Sequence, residues 1–341
     1  MSSGTSVDAV EGPGGEEVPR EEPKPTKQLT GRSPTRIALG RLAKDKVAVT
    51  SASILGLLIL LAIFAPLISD LWNIYPNQDD PNAPTPSELM EGALPSVGPP
   101  RYPFTWAHPL GVEPRSSLDN LALLLYGLRT SLLVAVLATV ISTIVGVSIG
   151  LLAGYAKGVV DSALSFFIDF FLSFPFLLGA LALAPIITSR FGGDQDTLAR
   201  AQLIALVGVL VIFGWMGLAR LIRGQVLSLR EREFVQAAQV IGVPTWQILF
   251  KELLPNLVAP IVVAVSLALP AYVAAEAGLS FLGIGLTEST SLGRTVNKAT
   301  EYFEVYPLYL WAPVVTIMVL VIALNLVGDS IRDAFDPKTR R

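Results

Sequence analysis

Six long apolar stretches constrain the fold of this 341-residue chain more than any other feature. A helix needs about 20 mainly apolar residues to cross a hydrocarbon core about 30 Å thick, and each stretch is about that long. The stretches lie at 47–68, 131–154, 164–187, 202–221, 257–275 and 308–327. Their length and their weak period-two alternation argue against a β-barrel. We therefore predict an all-α, polytopic membrane protein with six transmembrane helices.

Composition supports a membrane protein and excludes several other classes. Only 16% of the residues are charged, whereas a soluble domain carries about 25%. The absence of cysteine excludes disulfides, thiolate metal sites and a cysteine nucleophile, and the single histidine, His108, argues against a histidine-based metal site or triad. A net charge of −3 offers no basic surface for nucleic acid. We therefore expect no metal ion, no catalytic residue and no nucleic-acid partner.

The distribution of basic residues predicts the orientation in the membrane. Lysine and arginine accumulate on the cytoplasmic side of membrane proteins. Placing the amino terminus inside puts 18 of the 25 lysines and arginines on that side. We therefore expect both termini of a multi-pass protein to be cytoplasmic.

The remaining segments are assigned around the spans. Residues 1–33, rich in Pro, Gly and Ser, predict a disordered cytoplasmic tail. Residues 34–46 predict a short interfacial elbow helix, with a basic stop signal without a helix as the alternative. We expect a long outer loop at 69–130, a five-helix core at 131–327 and a cytoplasmic C-terminal tail at 328–341.

The cytoplasmic loop at 222–256 is too polar to cross a membrane but is regularly patterned. Its apolar spacing predicts a helix over 224–240, a break at 242–244 and a second helix over 245–254 that ends at Pro255. Gly242 allows a left-handed helix end and Pro244 starts a helix well. Such a helix–break–helix presents a short, rigid, apolar surface. The small side chains of Ala237 and Ala238 leave room there for a partner.

Residues 234–256 resemble the EAA loop of ABC importer permeases. The match runs Phe234-Val-Gln-Ala-Ala-Gln-Val-Ile-Gly242 and, nine residues later, Glu252-Leu-Leu-Pro-Asn256. Gln236 stands where Glu is usual, and Glu252 where Ile is often found. The resemblance implies a coupling helix that docks into a cleft of an ATPase subunit. The residues that it assigns to coupling are Phe234, Gln236, Ala237, Ala238, Gly242, Val243, Pro244 and Pro255.

Other stretches resemble the dipeptide/oligopeptide/nickel permeases, most closely their C-type subunit. They read RLAKDK, HPLG, LLYGLRTSL, EAGLSFLGIG and NLVGDSIRDAFDP, starting at Arg41, His108, Leu124, Glu276 and Asn325. Residues 115–118 replace the usual Gly-Arg-Asp, and Leu292-Gly293 the usual Trp-Gly. The resemblance implies a type I ABC importer permease for peptides. Because both departures lie on the expected outer face, nickel complexes, oligosaccharides or another solute stay open as alternatives.

The resemblance also implies a set of partners. The chain contains neither a Gly-x4-Gly-Lys-Ser/Thr phosphate loop nor Leu-Ser-Gly-Gly-Gln. We therefore expect no cofactor on this chain, with ATP and Mg on two separate ABC ATPases. The other expected partners are a homologous second permease forming a heterodimer, an extracytoplasmic substrate-binding protein and the lipid of a prokaryotic cytoplasmic membrane.

Two functions of other classes were weighed against this one. An ion-driven secondary transporter would need inverted repeats and charge at the midplane of the membrane. A membrane-embedded enzyme would need catalytic side chains such as histidine, cysteine or clustered acids. The chain has one histidine and no cysteine, and the spans contain no clustered acids. The sequence therefore favours a transport subunit without catalytic activity of its own.

Polar residues at the proposed cytoplasmic ends of the spans are interpreted as structural. Asp169 is an ionisable group within a span, and such groups are often functional. The preferred interpretation is an ion pair near the interface, with Arg220, Arg223 or Lys157. Asn325, Asp329, Arg332 and Asp333 form a polar end to the sixth span. Asp329 and Asp333 lie four residues apart on one face, so we expect Arg332 to form a local bridge.

At the outer end, Glu276 and Phe281 allow two interpretations. Either they belong to an outer gate, or Glu276 ends the fifth span in solvent. In both cases residues 279–282 are expected to form a short re-entrant or interfacial helix. His108 is expected to cap a turn with Pro109.

Overall fold

The computed structural model describes residues 39–76, 89–99, 101–190, 195–285 and 289–335. The expected tail at 1–33, the start of the elbow at 34–38 and residues 336–341 of the C-terminal tail lie outside the described residues. Within the described ranges the chain is almost entirely helical, apart from one small antiparallel hairpin that pairs Met90 with Pro95. The all-α prediction is confirmed.

The fold is a bundle of long helices joined by short breaks. In chain order the elements are α1 (Lys46–Ile63), α2 (Ala65–Trp72), β1 (Met90–Glu91), β2 (Leu94–Pro95), α3 (Asn120–Tyr155), α4 (Val159–Ser173), α5 (Phe176–Arg190), α6 (Gln195–Ile212), α7 (Met216–Leu229), α8 (Glu233–Val240), α9 (Thr245–Gln247), a π-helical segment (Ile248–Leu253), α10 (Leu254–Phe281), α11 (Leu292–Ala299), a 3-10 turn (Thr300–Tyr302) and α12 (Pro307–Phe335). We call the end of the bundle where α1 begins the proximal end. The opposite end is the distal end.

The described residues contain five segments long and apolar enough to cross a membrane. These are Lys46–Ile63, Asn120–Tyr155, Thr197–Leu229, Thr245–Phe281 and Pro307–Phe335. Helix α4 and the part of α5 up to Leu183 are together long and apolar enough for a sixth, but they meet at a bend of 82°, which fits either a broken span or a re-entrant loop. Because Pro175 disfavours a helical conformation at the residue before it, Phe174 is extended, with φ −83° and ψ 127°. The third apolar stretch, at 164–187, is therefore divided between two helices at Phe174.

Several helix ends differ from the predicted boundaries of spans and loops. The expected first span at 47–68 is divided at Phe64, where α1 gives way to α2. Residues 120–130 belong to α3 instead of the outer loop, because the Asp119 carboxylate caps the helix by accepting from the Leu121 amide at 2.8 Å. The tail expected from residue 328 stays helical to Phe335. The length of an apolar stretch reflects the thickness of the membrane. The length of a helix depends instead on where a cap or a proline ends it.

The loop at 222–256 also differs from its predicted form. The helix expected over 224–240 is interrupted, because Arg232 is extended with φ −78° and ψ 145°. The second helix does not stop at Pro255. It passes through the π-helical segment into α10, whose first turn holds Pro255. Proline is tolerated there because the first turn of a helix needs no backbone N–H donors.

The end of the expected elbow is fastened to the last helix. Residues 39–42 are helical, and Asp45 then caps α1 by accepting from the Val47 amide at 2.9 Å. The Arg41 guanidinium donates to the Ala334 carbonyl at 3.4 Å, and the Ser330 hydroxyl donates to Asp45 at 3.4 Å. These contacts join the start of α1 to the end of α12.

Helices α3 and α7 pack closely at three glycines spaced four residues apart. This spacing places Gly146, Gly150 and Gly154 on one face of α3. A methyl group at Gly150 would lie 2.7 Å from the Ala219 carbonyl oxygen, and one at Gly154 would lie 2.6 Å from the Val226 Cβ. Small residues of this kind let the backbones of membrane helices approach closely. The proximal half of the bundle is therefore built around the α3–α7 contact.

Candidate functional site

The candidate site is the short helix α8 with the turn that ends it. Gly242 adopts φ +84°, which glycine tolerates and other residues rarely do. The Gly242 amide donates to the Gln239 carbonyl at 3.1 Å, and the Val243 amide donates to the Ala238 carbonyl at 3.0 Å. This pair of bonds is a Schellman motif, which satisfies the last carbonyls of a helix. The predicted stop at 242 therefore forms from local interactions.

Helix α8 is anchored to the bundle by one fully buried side chain. Val235 packs in an apolar cluster to which α3 contributes Leu151, α7 contributes Val226 and the π-helical segment contributes Ile248. Ala238 and Val243, at the two ends of the Schellman motif, pack against the same cluster. Movement of α8 is therefore coupled through close packing to three other helical segments.

The outward face of α8 is apolar and uncovered in this chain. Val240 is 87% exposed and Ile241 is 79% exposed, and Phe234 is also exposed. Trp246 and Phe250, just beyond the turn, are exposed as well. We call Phe234, Val240 and Ile241 the α8 surface. A cluster of exposed large apolar side chains of this kind is typical of a surface that binds a partner.

Arg230 fixes the position of α8 against α3. Its guanidinium donates to the carbonyls of Gly154 and Ala156, at 3.2 and 3.3 Å, where α3 ends. An arginine at a helix C-terminus satisfies free carbonyls and interacts favourably with the helix dipole. Gln239 of α8 also donates to the Tyr155 hydroxyl, at 3.4 Å. A cleft of 590 Å³ lies between these residues and Lys157.

The structure brings together all but one of the residues that the resemblance assigns to coupling. Gln236 and Ala237 are exposed on α8, and Ala238 is half-buried under it. Pro244 caps the next helix, so it lies in the turn with Gly242 and Val243. Pro255 is exposed, but it lies in the first turn of α10 beyond the π-helical segment. The contacts of Arg230 were not predicted, because nothing near it in sequence identifies its partners.

Two ion pairs join α4 to α7 near the proximal end. Asp169 contacts Arg220, one of its three expected partners, and both side chains are 60% exposed. Asp161 accepts from Arg223 at 2.9 Å and is less exposed. These pairs fasten the otherwise sparsely covered α4 to the bundle.

Long-range contacts join the end of α12 to the start of α1. The Ser330 hydroxyl donates to Asp45, and the Ala334 carbonyl accepts from the Arg41 guanidinium. Asp329, Arg332 and Asp333 are exposed on the last turns of the helix. The local bridge by Arg332 stays a prediction.

At the distal end, Glu276 is fully buried instead of ending a helix in solvent. Its Oε1 accepts from the Ser280 hydroxyl at 2.8 Å, and no described residue forms a hydrogen bond with its Oε2. Ser291 faces the same carboxyl group and begins α11, which lies close to α10 at Gly293. Residues 279–281 are the last turn of α10, so the separate re-entrant or interfacial helix expected at 279–282 does not form. Phe281 is exposed, and its carbonyl accepts from Asn297 of α11 at 2.8 Å.

The loop between α2 and α3 contains a buried polar centre that sequence reasoning missed. Glu113 is 3% exposed. Its Oε1 accepts from Lys298 of α11 at 3.0 Å and from the Tyr309 hydroxyl of α12 at 2.6 Å, and its Oε2 accepts from Ser116. The hydrogen-bonding partners from α11 and α12 lie more than 180 residues away, so no local signal identifies them.

The single histidine supports the same loop. His108 Nδ1 lies 2.8 Å from Asp119 Oδ2, and the other oxygen of Asp119 caps α3. The prediction that His108 caps a turn with Pro109 did not include this contact with Asp119. An aspartate directly before a long apolar run is a helix-start signal, so Asp119 could have been identified. Among the described residues, no group of three His, Asp or Glu side chains could hold a metal ion.

Comparison with known proteins identifies the family. Residues 146–341 match the family "Binding-protein-dependent transport system inner membrane component", and residues 33–85 match "N-terminal TM domain of oligopeptide transport permease C". An "Oligopeptide transport system permease protein OppC" of Haemophilus influenzae is 34% identical over 318 residues, which cover 92% of this chain and 91% of that protein. A "Dipeptide transport system permease protein DppC" of Alkalihalophilus pseudofirmus is 34% identical, with 93% and 94% covered.

A solved structure supports the fold independently. A chain of the inward-facing MetNI methionine ABC transporter aligns with a TM-score of 0.50 and 21% sequence identity, covering 63% of this chain and 96% of that one. This likeness supports a type I ABC importer permease architecture. Together with the matches along most of the sequence, it leads to one conclusion: the chain is a membrane subunit of the binding-protein-dependent transport family, and within it a member of the oligopeptide/dipeptide permease C group.

Proposed function

We propose that this chain is a permease subunit of an ABC importer that moves di- or oligopeptides across the cytoplasmic membrane of a prokaryote. A homologous second permease completes the pathway as a heterodimer. Two ATPase subunits bind ATP and Mg, and an extracytoplasmic binding protein delivers the substrate. The names of the OppC and DppC relatives support a peptide cargo. The excess of Lys and Arg beside the proximal end supports a cytoplasmic position for that end and for both termini.

The single observation that carries the proposal is the α8 surface. It is exposed and apolar, yet Val235 and the Schellman motif hold it rigidly on the bundle. A partner that binds this surface can therefore transmit force to α3, α7 and α10. We assign Phe234, Gln236, Ala237, Ala238 and the turn at 242–244 to docking of the ATPase, and Pro255 to the start of the helix that receives the force.

Alternating access follows if the ATPase binds two conformations differently. Closure of the ATPase pair on ATP binding would pull on α8 and open the distal end, and hydrolysis would reset it. ATP can shift this equilibrium only through contacts that differ between the two states. At the distal end we assign Glu276 to holding α11 in place and Phe281 to the outer gate. Both residues lie where α10 meets α11.

The coupling role is tested by a substitution on the exposed α8 surface. In the complex reconstituted in proteoliposomes, Val240→Asp is expected to abolish ATP-dependent peptide uptake, because docking would bury an unpaired charge. The amount of chain in the membrane should stay unchanged, since residue 240 is almost fully exposed. Gly242→Pro is expected to uncouple transport in the same way, because proline cannot adopt φ +84° or donate to Gln239.

A matched control is Gly224→Ala on α7, where a methyl group would contact nothing within 4 Å. It should transport at the wild-type rate. Wild-type uptake by Val240→Asp would contradict docking at α8. Uptake that persists without any ATPase subunit would favour an ion-driven transporter instead. The ligand that stimulates ATP hydrolysis by the complex will identify the cargo among peptides, nickel complexes, oligosaccharides and other solutes.

A second prediction concerns the exposed ion pair at Asp169. Asp169→Asn is expected to change the stability of the isolated chain by less than about 1 kcal/mol, because ion pairs this exposed contribute little. It should lower the yield of assembled complex, since the sparsely covered α4 is free to contact the second permease. Co-purification measures assembly, and a thermal melt of the single chain measures stability. Normal assembly with abolished substrate affinity would instead place Asp169 in the transport pathway.

A further inference from the structure

The loop at 98–111 places three aromatic side chains at the distal end of the bundle. Tyr102, Phe104 and Trp106 are all exposed, and Trp106 is 74% exposed. The rings of Phe104 and Trp106 meet edge to face at 5.3 Å. Residues 101–107 contain one arginine and no acidic residue. We call the described residues 98–99 and 101–111 the aromatic loop.

The two ends of the aromatic loop are held together. Gly98 has φ +77° and Gly111 has φ +72°, and the two glycines are in direct contact. A methyl group at Gly98 would lie 2.6 Å from the Gly111 Cα. A loop of this length whose ends meet is an Ω-loop, a form that is frequently functional. Because Gly98 and Gly111 are in contact, the aromatic residues between them are held in one compact loop.

The C-terminal end of the aromatic loop is hydrogen-bonded to the start of a membrane-spanning helix. Asn120, the first residue of α3, donates its amide to the Gly111 carbonyl and its side chain to the Leu110 carbonyl, both at 3.0 Å. The aromatic loop also contacts the start of another span. The Arg101 guanidinium lies 5.6 Å from the centre of the ring of Tyr306, the residue directly before α12. The aromatic loop therefore sits where two spans leave the membrane.

Exposed apolar side chains of α2 and α12 also lie at this end of the bundle. In α2, Leu67, Asp70, Leu71 and Trp72 are exposed while Ala65 and Ser69 are buried, so the large apolar side chains of this helix face away from the bundle. The residues after α2, 73–75, line a small cavity together with His108 and Asp119 at the base of the aromatic loop. Trp311 in the first turn of α12 is exposed at the same end.

We propose that the aromatic loop inserts Tyr102, Phe104 and Trp106 into the headgroup region of the lipid leaflet at the distal end. Tryptophan and tyrosine are enriched at this level because their rings are apolar at one end and polar at the other. Arg101 can remain with the lipid phosphates while its stem lies along apolar groups. The loop thereby anchors the start of α3 at a fixed height in the membrane.

The experiment uses the absence of cysteine in the chain. Trp106→Cys carries an environment-sensitive fluorophore, and the full-length protein is placed in phosphatidylcholine nanodiscs. Nitroxide-labelled phosphatidylcholine, with the nitroxide near the headgroup, is expected to quench this probe strongly, and iodide in the water only weakly. Phe104→Cys should behave in the same way. The control, Glu91→Cys in β1 of the same loop between α2 and α3, is exposed and should show the reverse pattern.

Two results would overturn the proposal. One is equal iodide quenching at residues 106 and 91 with no quenching by nitroxide lipid. The other is a probe at 106 that becomes shielded from iodide only when the extracytoplasmic binding protein is added, which would assign the surface to a protein. The measurement needs neither ATP nor transport, so its failure leaves the proposed function untouched.

Discussion

Replacement of Gly150 by leucine is expected to remove most of the folded protein from the membrane. A single methyl group there would already lie 2.8 Å from the Ile222 Cβ and 2.7 Å from the Ala219 carbonyl oxygen. The carbonyl belongs to α7, so it cannot move without shifting the whole helix. We expect a loss of about 3 kcal/mol or more, at the upper end of overpacking effects. Fluorescence-detected size-exclusion chromatography after heating measures the effect, and Gly150→Ala should give an intermediate loss.

The matched control is Gly56→Leu in α1. A methyl group at Gly56 would meet nothing within 4 Å, so this variant should stay within about 0.5 kcal/mol of the wild type. Equal behaviour of the leucine variants at 56 and 150 would show that α3 and α7 are farther apart than the structure places them. The contrast also separates packing from helix propensity, because both glycines lie inside apolar helices.

Removal of the Glu113 carboxylate is expected to have the second largest effect. Glu113→Ala leaves the buried Tyr309 hydroxyl without its acceptor, and it leaves Lys298, which is 43% exposed, without its counter-ion. Leaving a buried hydrogen-bonding group unsatisfied costs about 1–3 kcal/mol. Glu113→Gln preserves the shape but lacks the charge, so it should lie between alanine and the wild type. The midpoint of thermal unfolding in detergent reports the loss.

A control for charge alone is available nearby. Glu301 is 66% exposed and lies 4.0 Å from Arg115, so Glu301→Ala should leave the unfolding midpoint almost unchanged. If Glu113→Ala also left the unfolding midpoint almost unchanged, the loop between α2 and α3 would not depend on this carboxylate for its attachment. Limited proteolysis of that loop offers a second measurement, because cleavage should accelerate in Glu113→Ala and stay slow in Glu301→Ala.

Features that depend on neighbouring residues could be predicted from the sequence. The stop at Gly242 and the restart at Pro244 follow from the backbone freedom of glycine and the fixed φ of proline. The bend at Pro175 follows from the same rules, although its size of 82° does not. Asp119 could have been identified as a helix cap from its position before an apolar run. In each case the partners lie within a few residues.

Features that depend on distant residues could not be predicted. Glu113 interacts with α11 and α12, and Arg230 with the end of α3, through contacts across many residues of sequence. Glu276 was interpreted as either a gate or a solvated helix end, and only the packing of α10 against α11 showed that it is buried. Sequence patterns report how apolar a segment is but not which face another helix will cover.

The sequence by itself determined that this chain is helical, that it crosses a membrane and that helix α8 ends at Gly242, because hydropathy and backbone sterics act over short distances. Only the tertiary structure decided which glycines bring α3 and α7 together, which carboxylates are buried and which residues attach the aromatic loop to the bundle. Those outcomes depend on side chains that meet after the helices pack, and their partners are spread over the whole length of the chain.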